Sequence, residues 1–183
     1  VSPQEFQLQY IGAKSVFSPA TAVFEATREM ERMGKIAIEN LRHSMDALFT
    51  MNDREIQEVY ETEDQINFLN HAITDYLVKV NQTTIPTEDK KSIGGLFHVV
   101  NDIERIGDHA ENVADAARKR MEDQVEFSPQ AKRELSEMLD AVVTITTYAL
   151  DMFSHNNQEH MQEILDLENK VDRMERELQE SHI

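Results

Sequence analysis

The chain has 183 residues and a formal net charge of −17, with 18 Lys and Arg against 35 Asp and Glu. Such a charge repels phosphate backbones and anionic lipid surfaces, so it argues against nucleic-acid binding and favours cations as partners. There is no cysteine, which excludes disulfides and thiolate metal sites, and no apolar run reaches the ~20 residues of a membrane-spanning helix, so we expect no direct membrane insertion.

The first predicted helix follows a lead-in segment, residues 1–17, which lacks periodicity and is expected to be extended or briefly helical. Ser18-Pro19 is typical of a helix start, with Pro in the first turn. Apolar residues then recur at three- and four-residue spacing to about residue 51, which predicts one buried helix face. That face carries Ala26, Met30, Met33, Ala37, Leu41, Ser44 and Leu48.

The second and third predicted helices are separated by the loop-like stretch NQTTIPTEDKK. Asn52-Asp53 is the expected cap of the second, and Thr87 or Ser92 of the third. The buried face of the second helix is predicted to carry Val59, Ile66, Leu69, Ile73, Tyr76 and Val80. That of the third is predicted to carry Val99, Ile103, Ile106, Ala110, Val113 and Ala117. Gly107 lies in mid-helix, where it costs about 1 kcal/mol relative to Ala. This position predicts the close approach of a neighbouring backbone or a ligand.

Two further helices are predicted towards the end of the chain. Ser128-Pro129 repeats the Ser-Pro start, and Asn156-Asn157 is expected to end the fourth helix. Its apolar face carries Leu135, Met138, Val142, Ile145, Ala149 and Met152. The fifth carries Ile164, Leu167, Val171, Met174 and Leu178. No strand-like alternation competes with this periodicity, so the predicted fold class is all-α.

An internal repeat relates the two parts of the chain. Residues 45–67 align with residues 149–172 after one extra residue near the inter-helix turn. The matched pairs include Phe49 with Phe153, Glu63 with Glu168, and Asn67 with Asp172. The repeat therefore predicts a structural unit that occurs twice.

The two predicted units differ in completeness. Residues 18–122 form a three-helix unit, whereas residues 128–183 form a second unit that is truncated, because it lacks a third helix. Two amphipathic helices alone leave an apolar face open. We expect residues 1–17, a second copy in a homo-oligomer or a swapped helix to cover it.

Candidate ligands concentrate in the stretch NDIERIGDHAEN, residues 101–112. Glu104, Asp108 and Asn112 follow at four-residue spacing, so they share one face of the third helix. Carboxylates stacked one turn apart repel each other, so such a face is either simply solvated or binds cations. The second helix adds Glu63, Asp64 and Asn67, and the fifth adds Glu168 and Asp172 as half of a second site. Asp102, Glu111 and Asp115 lie nearby but off the four-residue line.

Oxygen ligands of this kind are preferred by hard cations, and the expected cofactors are divalent or trivalent ions such as iron, zinc, magnesium or manganese. No Glu is followed three residues later by His, which argues against a ferritin-like oxidase. No phosphate loop, nucleophile elbow or HExxH motif occurs, and a metal-dependent hydrolase would need a base that the pattern lacks. We therefore expect a protein that is not an enzyme.

The acidic motifs resemble those of the PhoU family of phosphate-signalling proteins. The matching stretches are ETEDQIN at 61–67, ERIGDHAEN at 104–112 and LENKVD at 167–172. The resemblance implies tandem three-helix bundles whose E/D-xxx-D motifs bind multinuclear clusters of iron or other metals. One departure is Asn67, where the family usually has Asp.

A finer resemblance is carried by QEFQLQYI and by REMERMG at 28–34. These stretches are similar to the PhoU-like cytoplasmic tail of bacterial sodium–phosphate cotransporters. The resemblance implies a regulatory or sensor domain in phosphate transport and homeostasis, attached to the inner face of the cell membrane through the membrane domain of its parent transporter. It also implies a chain that begins without Met because it was excised from a longer one. Two alternatives stay open: a free-standing PhoU adaptor acting on a phosphate permease and its sensor kinase, and a metal-free helical interaction module.

Overall fold

Five long helices make up most of the computed structural model, which describes residues 7–12, 18–154 and 161–182. They are α1 (Pro19–Thr50), α2 (Asp53–Asn81), α3 (Thr87–Asp123), α4 (Pro129–Ser154) and α5 (Met161–His182). The described residues contain no strand, so the all-α prediction is confirmed. Among them, no helix is both long enough and apolar enough to cross a bilayer. The predicted Asn156-Asn157 break and the side chains of Phe153 and Leu178 lie outside what the structure describes.

Two of the predicted helix starts are held by side-chain caps. Asn52 accepts hydrogen bonds from the backbone N–H of Arg54 and Glu55 at 2.9 and 3.3 Å, and Ser128 Oγ accepts one from the N–H of Ala131 at 3.1 Å. Such caps satisfy N–H groups that a helix leaves unpaired in its first turn. The third start differs from the prediction. Because α3 begins at Thr87, directly after a proline, neither Thr87 nor Ser92 is its N-cap.

The first three helices form a mutually packed bundle, in which each contacts the other two. Every residue predicted for the buried faces of α1 and α2 is buried. On α3 the prediction also holds, except that Val113 is only half-buried. The predicted three-helix first unit is therefore the main core of the molecule, and its packing sets α2 and α3 side by side.

The remaining helices form a more open pair. In the described part of the chain α5 packs against α4 alone, and α4 packs in turn on α1 and α3. Gly34 permits the approach to α1, because a Cβ at this position would lie 2.6 Å from Leu150 Cδ1. Most of the predicted core positions of α4 are only half-buried, namely Leu135, Met138, Ile145, Ala149 and Met152. Within the described residues, these positions are therefore less fully covered than the core positions of α1 and α2.

The described part of the lead-in, residues 7–12, packs on α1. The fully buried Glu29 carboxylate accepts hydrogen bonds from the backbone N–H groups of Tyr10 and Ile11, and Arg32 donates to the carbonyl of Gln7 at 2.6 Å. Glu29 and Arg32 therefore hold residues 7–12 against α1, and the expectation that the lead-in covers the open face of α4 and α5 stays a prediction. Residues 1–6 and 13–17 lie outside the described ranges.

Candidate metal centre

Glu63 is the most unusual polar side chain of the bundle. It lies in α2 with 3% of its surface exposed, and neither carboxylate oxygen has a hydrogen-bond partner among the described residues. Burying a carboxylate without a partner is costly, so an arrangement of this kind points to a missing ligand or proton.

The Glu63 carboxylate lies against Gly107 of α3. A Cβ added at Gly107 would be 2.7 Å from both Glu63 oxygens, which is closer than non-bonded atoms come. A close approach at Gly107 is thus present, but the approaching group is a side-chain carboxylate of the neighbouring helix, whereas a backbone or a ligand was predicted. The glycine creates the space into which Glu63 points, which explains a residue that costs helix stability in mid-helix.

Two further carboxylates from α3 complete a compact group with Glu63. Glu63, Asp108 and Glu111 each offer one oxygen, and the three oxygens lie within 4.8 Å of one another. Glu63 is buried, whereas Asp108 and Glu111 are exposed. The group therefore has an inner wall that excludes water and an outer side open to an ion from solvent.

The charges around Glu63 disfavour its ionised form when no cation is present. Burial is the main cause, and the negative charges nearby add to it, together raising the pKa of Glu63 from 4.5 to about 8. The repelling carboxylates are those of Asp108, Glu111, Asp64 and Glu104. A cation among these groups would remove the repulsion and supply the partner that Glu63 lacks.

The donor set fits a hard cation. All three converging ligands are carboxylates, which suit magnesium, manganese and iron better than softer ions. Two observations support an ion here independently of the acidic pattern in the sequence. Both oxygens of the buried Glu63 lack a partner, and Gly107 leaves space for that carboxylate. A bound ion would be shared by α2 and α3, and so would join the two helices.

The structure brings together part of the predicted ligand set. Glu63 and Asp108 converge, while Asp64 and Glu104 lie close enough to raise the pKa of Glu63 without belonging to the three-oxygen group. Asn67 is half-buried on α2 and Asn112 is exposed on α3, and their roles as ligands stay predictions. Glu111 lies off the four-residue line, so that spacing did not predict it as a ligand. Its three-residue spacing from Asp108, which also keeps two side chains on one helix face, is the signal that identifies it.

Asp115, one turn beyond Glu111, is engaged elsewhere. The Tyr60 hydroxyl of α2 donates a hydrogen bond to the Asp115 carboxylate, and the Arg118 guanidinium stacks 5.0 Å from the centre of the Tyr60 ring. Burial and then this hydrogen bond raise the pKa of Tyr60 to about 12. These contacts lie at the edge of the acidic cluster that is nearest the C-terminus of α3.

The second predicted site has a different environment. Glu168 and Asp172 of α5 line a cavity opposite Asp102 and Arg105 of α3. Burial, followed by the negative charge of Asp102, raises the pKa of Glu168, and Arg105 opposes this effect. In the described ranges no third acidic residue joins Glu168 and Asp172 at ligand distance. Their role as half of a metal site stays a prediction.

A known family matches this chain in two separate stretches. The PhoU domain family matches the chain over residues 30–117 and 135–183, one stretch in each unit. No solved structure matches the chain significantly. The two family matches are separated by the end of α3 and the start of α4, where sequence analysis divides the units.

Several bacterial proteins are similar in sequence. A phosphate-specific transport system accessory protein PhoU homolog of Clostridium acetobutylicum is 26% identical over 81% of this chain and 67% of its own length. A PhoU homolog 1 of Thermotoga maritima is 23% identical over 82% of this chain and 64% of its own. In Salmonella typhimurium, YjbB, provisionally named an inorganic phosphate export protein, is 21% identical over 79% of this chain but only 27% of its own. The chain thus spans about two thirds of the two accessory proteins. Because the family match covers most of the sequence, the chain belongs to the PhoU domain family.

Proposed function

We propose that this protein is a PhoU-type regulator of phosphate transport that binds a metal ion between α2 and α3. The observation that carries the metal proposal is Glu63, a buried carboxylate with two unpartnered oxygens facing Asp108 and Glu111. The link to phosphate transport is supported by the family match and by the names of the accessory-protein relatives. In this proposal the ion stabilises the bundle in the form that acts on a transporter.

The free-standing adaptor is the form that we favour. The Clostridium acetobutylicum and Thermotoga maritima relatives are named as accessory proteins of a phosphate-specific transport system, which supports an adaptor acting on a separate membrane transporter. The cytoplasmic side of the membrane is where such a regulator would act.

A domain attached to a sodium–phosphate cotransporter is the second candidate. It is favoured by the match to YjbB, in which the similar region is about a quarter of a longer protein. The reading frame of the gene separates the two forms, because a membrane domain encoded in the same frame supports attachment and its absence supports the adaptor.

A deletion strain of the source organism tests the regulatory proposal. With ample phosphate, loss of the gene should change phosphate uptake, and the wild-type gene should restore it. The double variant Glu63→Gln/Asp108→Asn should not restore it, whereas the charge-matched control Asp46→Asn/Asp75→Asn, at exposed positions away from the cluster, should. Unchanged uptake in the deletion strain would contradict a role in phosphate transport, and rescue by the double variant would contradict the role of the metal.

A further inference from the structure

Backbone hydrogen bonds tie the described part of the lead-in to α1. The buried Glu29 carboxylate accepts hydrogen bonds from the N–H groups of Tyr10 and Ile11, the second at 3.4 Å. Arg32 donates to the carbonyl oxygen of Gln7 at 2.6 Å. Because every peptide carries these N–H and C=O groups, the contacts select an extended backbone and not a particular side chain.

The two side chains that make these contacts form a charged pair. They lie three residues apart on α1, and Arg32 Nε is 3.3 Å from Glu29 Oε2, which leaves Oε1 for the backbone N–H groups. The side chain of Glu29 is fully buried and that of Arg32 is 14% exposed. Packing a neighbouring segment on a helix needs only apolar side chains, without the cost of removing two charges from water. The pair therefore indicates a site that recognises peptide backbone, the Glu29–Arg32 site.

Side chains of the lead-in show which residues this site accepts. Ile11 is buried in the core and Leu8 packs partly against the core, so two apolar residues lie three apart. The Tyr10 ring is 38% exposed, and the guanidinium carbon of Arg28 lies 4.6 Å from its centre. The bound segment thus defines a ligand class: an extended peptide with two apolar residues and an aromatic residue between them.

An exposed aromatic side chain lies beside the site. Phe24 is 60% exposed, and its ring centre is 5.7 Å from the same Arg28 guanidinium that stacks on Tyr10. The lead-in therefore leaves most of Phe24 uncovered. A longer bound segment could bury this ring as well, and would gain apolar contact that the lead-in does not make.

Most of the lead-in is exposed to solvent. Of its six described residues only Ile11 is buried, whereas Gln7, Gln9, Tyr10 and Gly12 are exposed. Segments with few buried contacts open first in native proteins, while the core stays folded. Opening of this segment would therefore vacate the site and leave the bundle of α1, α2 and α3 intact.

We infer that the Glu29–Arg32 site binds an extended segment of a partner protein, which displaces the lead-in. That segment would carry an apolar residue, an aromatic residue two places later and a second apolar residue directly after it, as in Leu8, Tyr10 and Ile11. A second copy of this chain is a poorer occupant, because exchange of identical segments adds no contact at the site and costs association entropy. The inference goes beyond the proposed metal-dependent regulation, and no residue of the metal centre takes part in it.

A fluorescein-labelled peptide with the sequence of residues 7–12, QLQYIG, is the probe, and fluorescence polarisation gives its affinity. In the wild-type chain the lead-in competes with it at the high effective concentration of a tethered segment. Ile11→Asp removes the apolar anchor of the lead-in, so the peptide should bind this variant at least about tenfold more tightly than the wild type. Excess peptide should also speed hydrogen exchange of the lead-in amides in the wild type. Absence of saturable binding to folded Ile11→Asp at up to about 1 mM peptide would overturn the proposal.

Two matched pairs test whether the site recognises backbone. In the Ile11→Asp variant, Glu29→Gln should weaken peptide binding about five- to tenfold, whereas Glu39→Gln, at an exposed position of α1, should not. A methyl group on the peptide nitrogen that corresponds to Tyr10 should weaken binding at least about tenfold, and one on the nitrogen that corresponds to Gln9 should not.

Equal affinities within either pair would overturn the proposal, and circular dichroism establishes that each variant is folded. A wild-type dimer in sedimentation equilibrium that Ile11→Asp dissociates would also overturn it, because the site would then take the lead-in of a second copy and not a partner segment.

Discussion

At the scale of single residues, the most unusual group is the Glu63 carboxylate, which is buried without a hydrogen-bond partner among the described residues. Glu63 is surrounded by other carboxylates, and burial together with these charges moves its pKa to about 8. A carboxyl group in this state is protonated near neutral pH unless a cation takes the place of the proton. In the proposed metal centre, Glu63 would therefore link proton binding, metal binding and the stability of the bundle.

The stability of the metal-free protein should depend on pH through Glu63. The pKa of Glu63 is about 8 in the folded state, against 4.5 for an ordinary glutamate side chain. Because the folded pKa is raised, protonated Glu63 contributes its full stabilisation of the folded state below about pH 4.5. This stabilisation is lost as pH rises through 8. In EDTA, Glu63→Gln should match the wild type at pH 5 and exceed it by a few kcal/mol at pH 9. Urea unfolding at the two pH values measures this, and equal pH dependence in both proteins would contradict the assignment.

Gly107→Ala should separate metal binding from folding. The added Cβ would lie 2.7 Å from both Glu63 oxygens, so the carboxylate must move. Because that carboxylate ends a flexible side chain, the protein should stay folded, while affinity for Mn²⁺ should fall at least about tenfold. Isothermal titration with Mn²⁺ gives the affinity.

Gly94→Ala is the matched control for this substitution. Gly94 is also in α3, but a Cβ there would meet nothing within 4 Å. Gly94→Ala should raise stability by about 1 kcal/mol and leave Mn²⁺ affinity unchanged. An unchanged affinity in Gly107→Ala would show that the position of the Glu63 carboxylate is not important for the ion.

The candidate site was only partly predictable from sequence. Regular spacing on one helix identified Asp108, and its pairing with α2 identified Glu63. Glu111 was not predicted because the prediction used only the four-residue spacing, whereas residues three apart also share a helix face. The deep burial of Glu63 could not be predicted, because it depends on the contact between α2 and Gly107 of α3.

At the scale of helices, periodicity was a reliable guide wherever a helix has partners on its whole apolar face. All seven predicted core residues of α1 are buried, including Ser44. On α4 the same kind of pattern gives half-buried residues such as Met138, because no helix in the described part of the chain covers them. A sequence pattern reports which face is apolar, but it does not report what covers that face.

Arg120 shows what periodicity cannot detect. It resembles a surface residue near the end of α3, yet it is 7% exposed. Its guanidinium donates to the carbonyls of Leu48 and Val125 at 2.8 and 2.6 Å and lies 4.4 Å from the centre of the Phe127 ring. It thereby joins the end of α1 to the connection between α3 and α4.

Arg120→Lys should therefore be strongly destabilising although it keeps the charge. A lysine lacks the planar fork that reaches both carbonyls, so we expect a loss of about 2 kcal/mol in unfolding free energy. Arg42→Lys, at an exposed position of α1, should cost less than about 0.5 kcal/mol. Equal losses in urea unfolding would show that the buried hydrogen bonds of Arg120 contribute little.

At the scale of the whole molecule, the internal repeat explains why the two parts differ. The first unit closes its core with three helices, and its acidic cluster lies between two of them. The second unit has two described helices, so its apolar face borders the cavity between α3, α4 and α5, and its acidic pair faces α3 instead of a helix of its own unit. The division into two units stays a prediction from the repeat. The contact of residues 7–12 with α1 was not, because it depends on a buried Glu29 that binds backbone N–H groups.

The metal content of the purified protein tests the central claim most directly. Protein prepared without chelator, then dialysed against Mn²⁺, should retain metal when measured by mass spectrometry, and Glu63→Gln/Asp108→Asn should lose most of it while staying folded by circular dichroism. Asp46→Asn/Asp75→Asn, with the same change in charge, should retain as much as the wild type. Equal metal in the wild type and the Glu63→Gln/Asp108→Asn variant, or none in the wild type, would contradict a metal centre between α2 and α3.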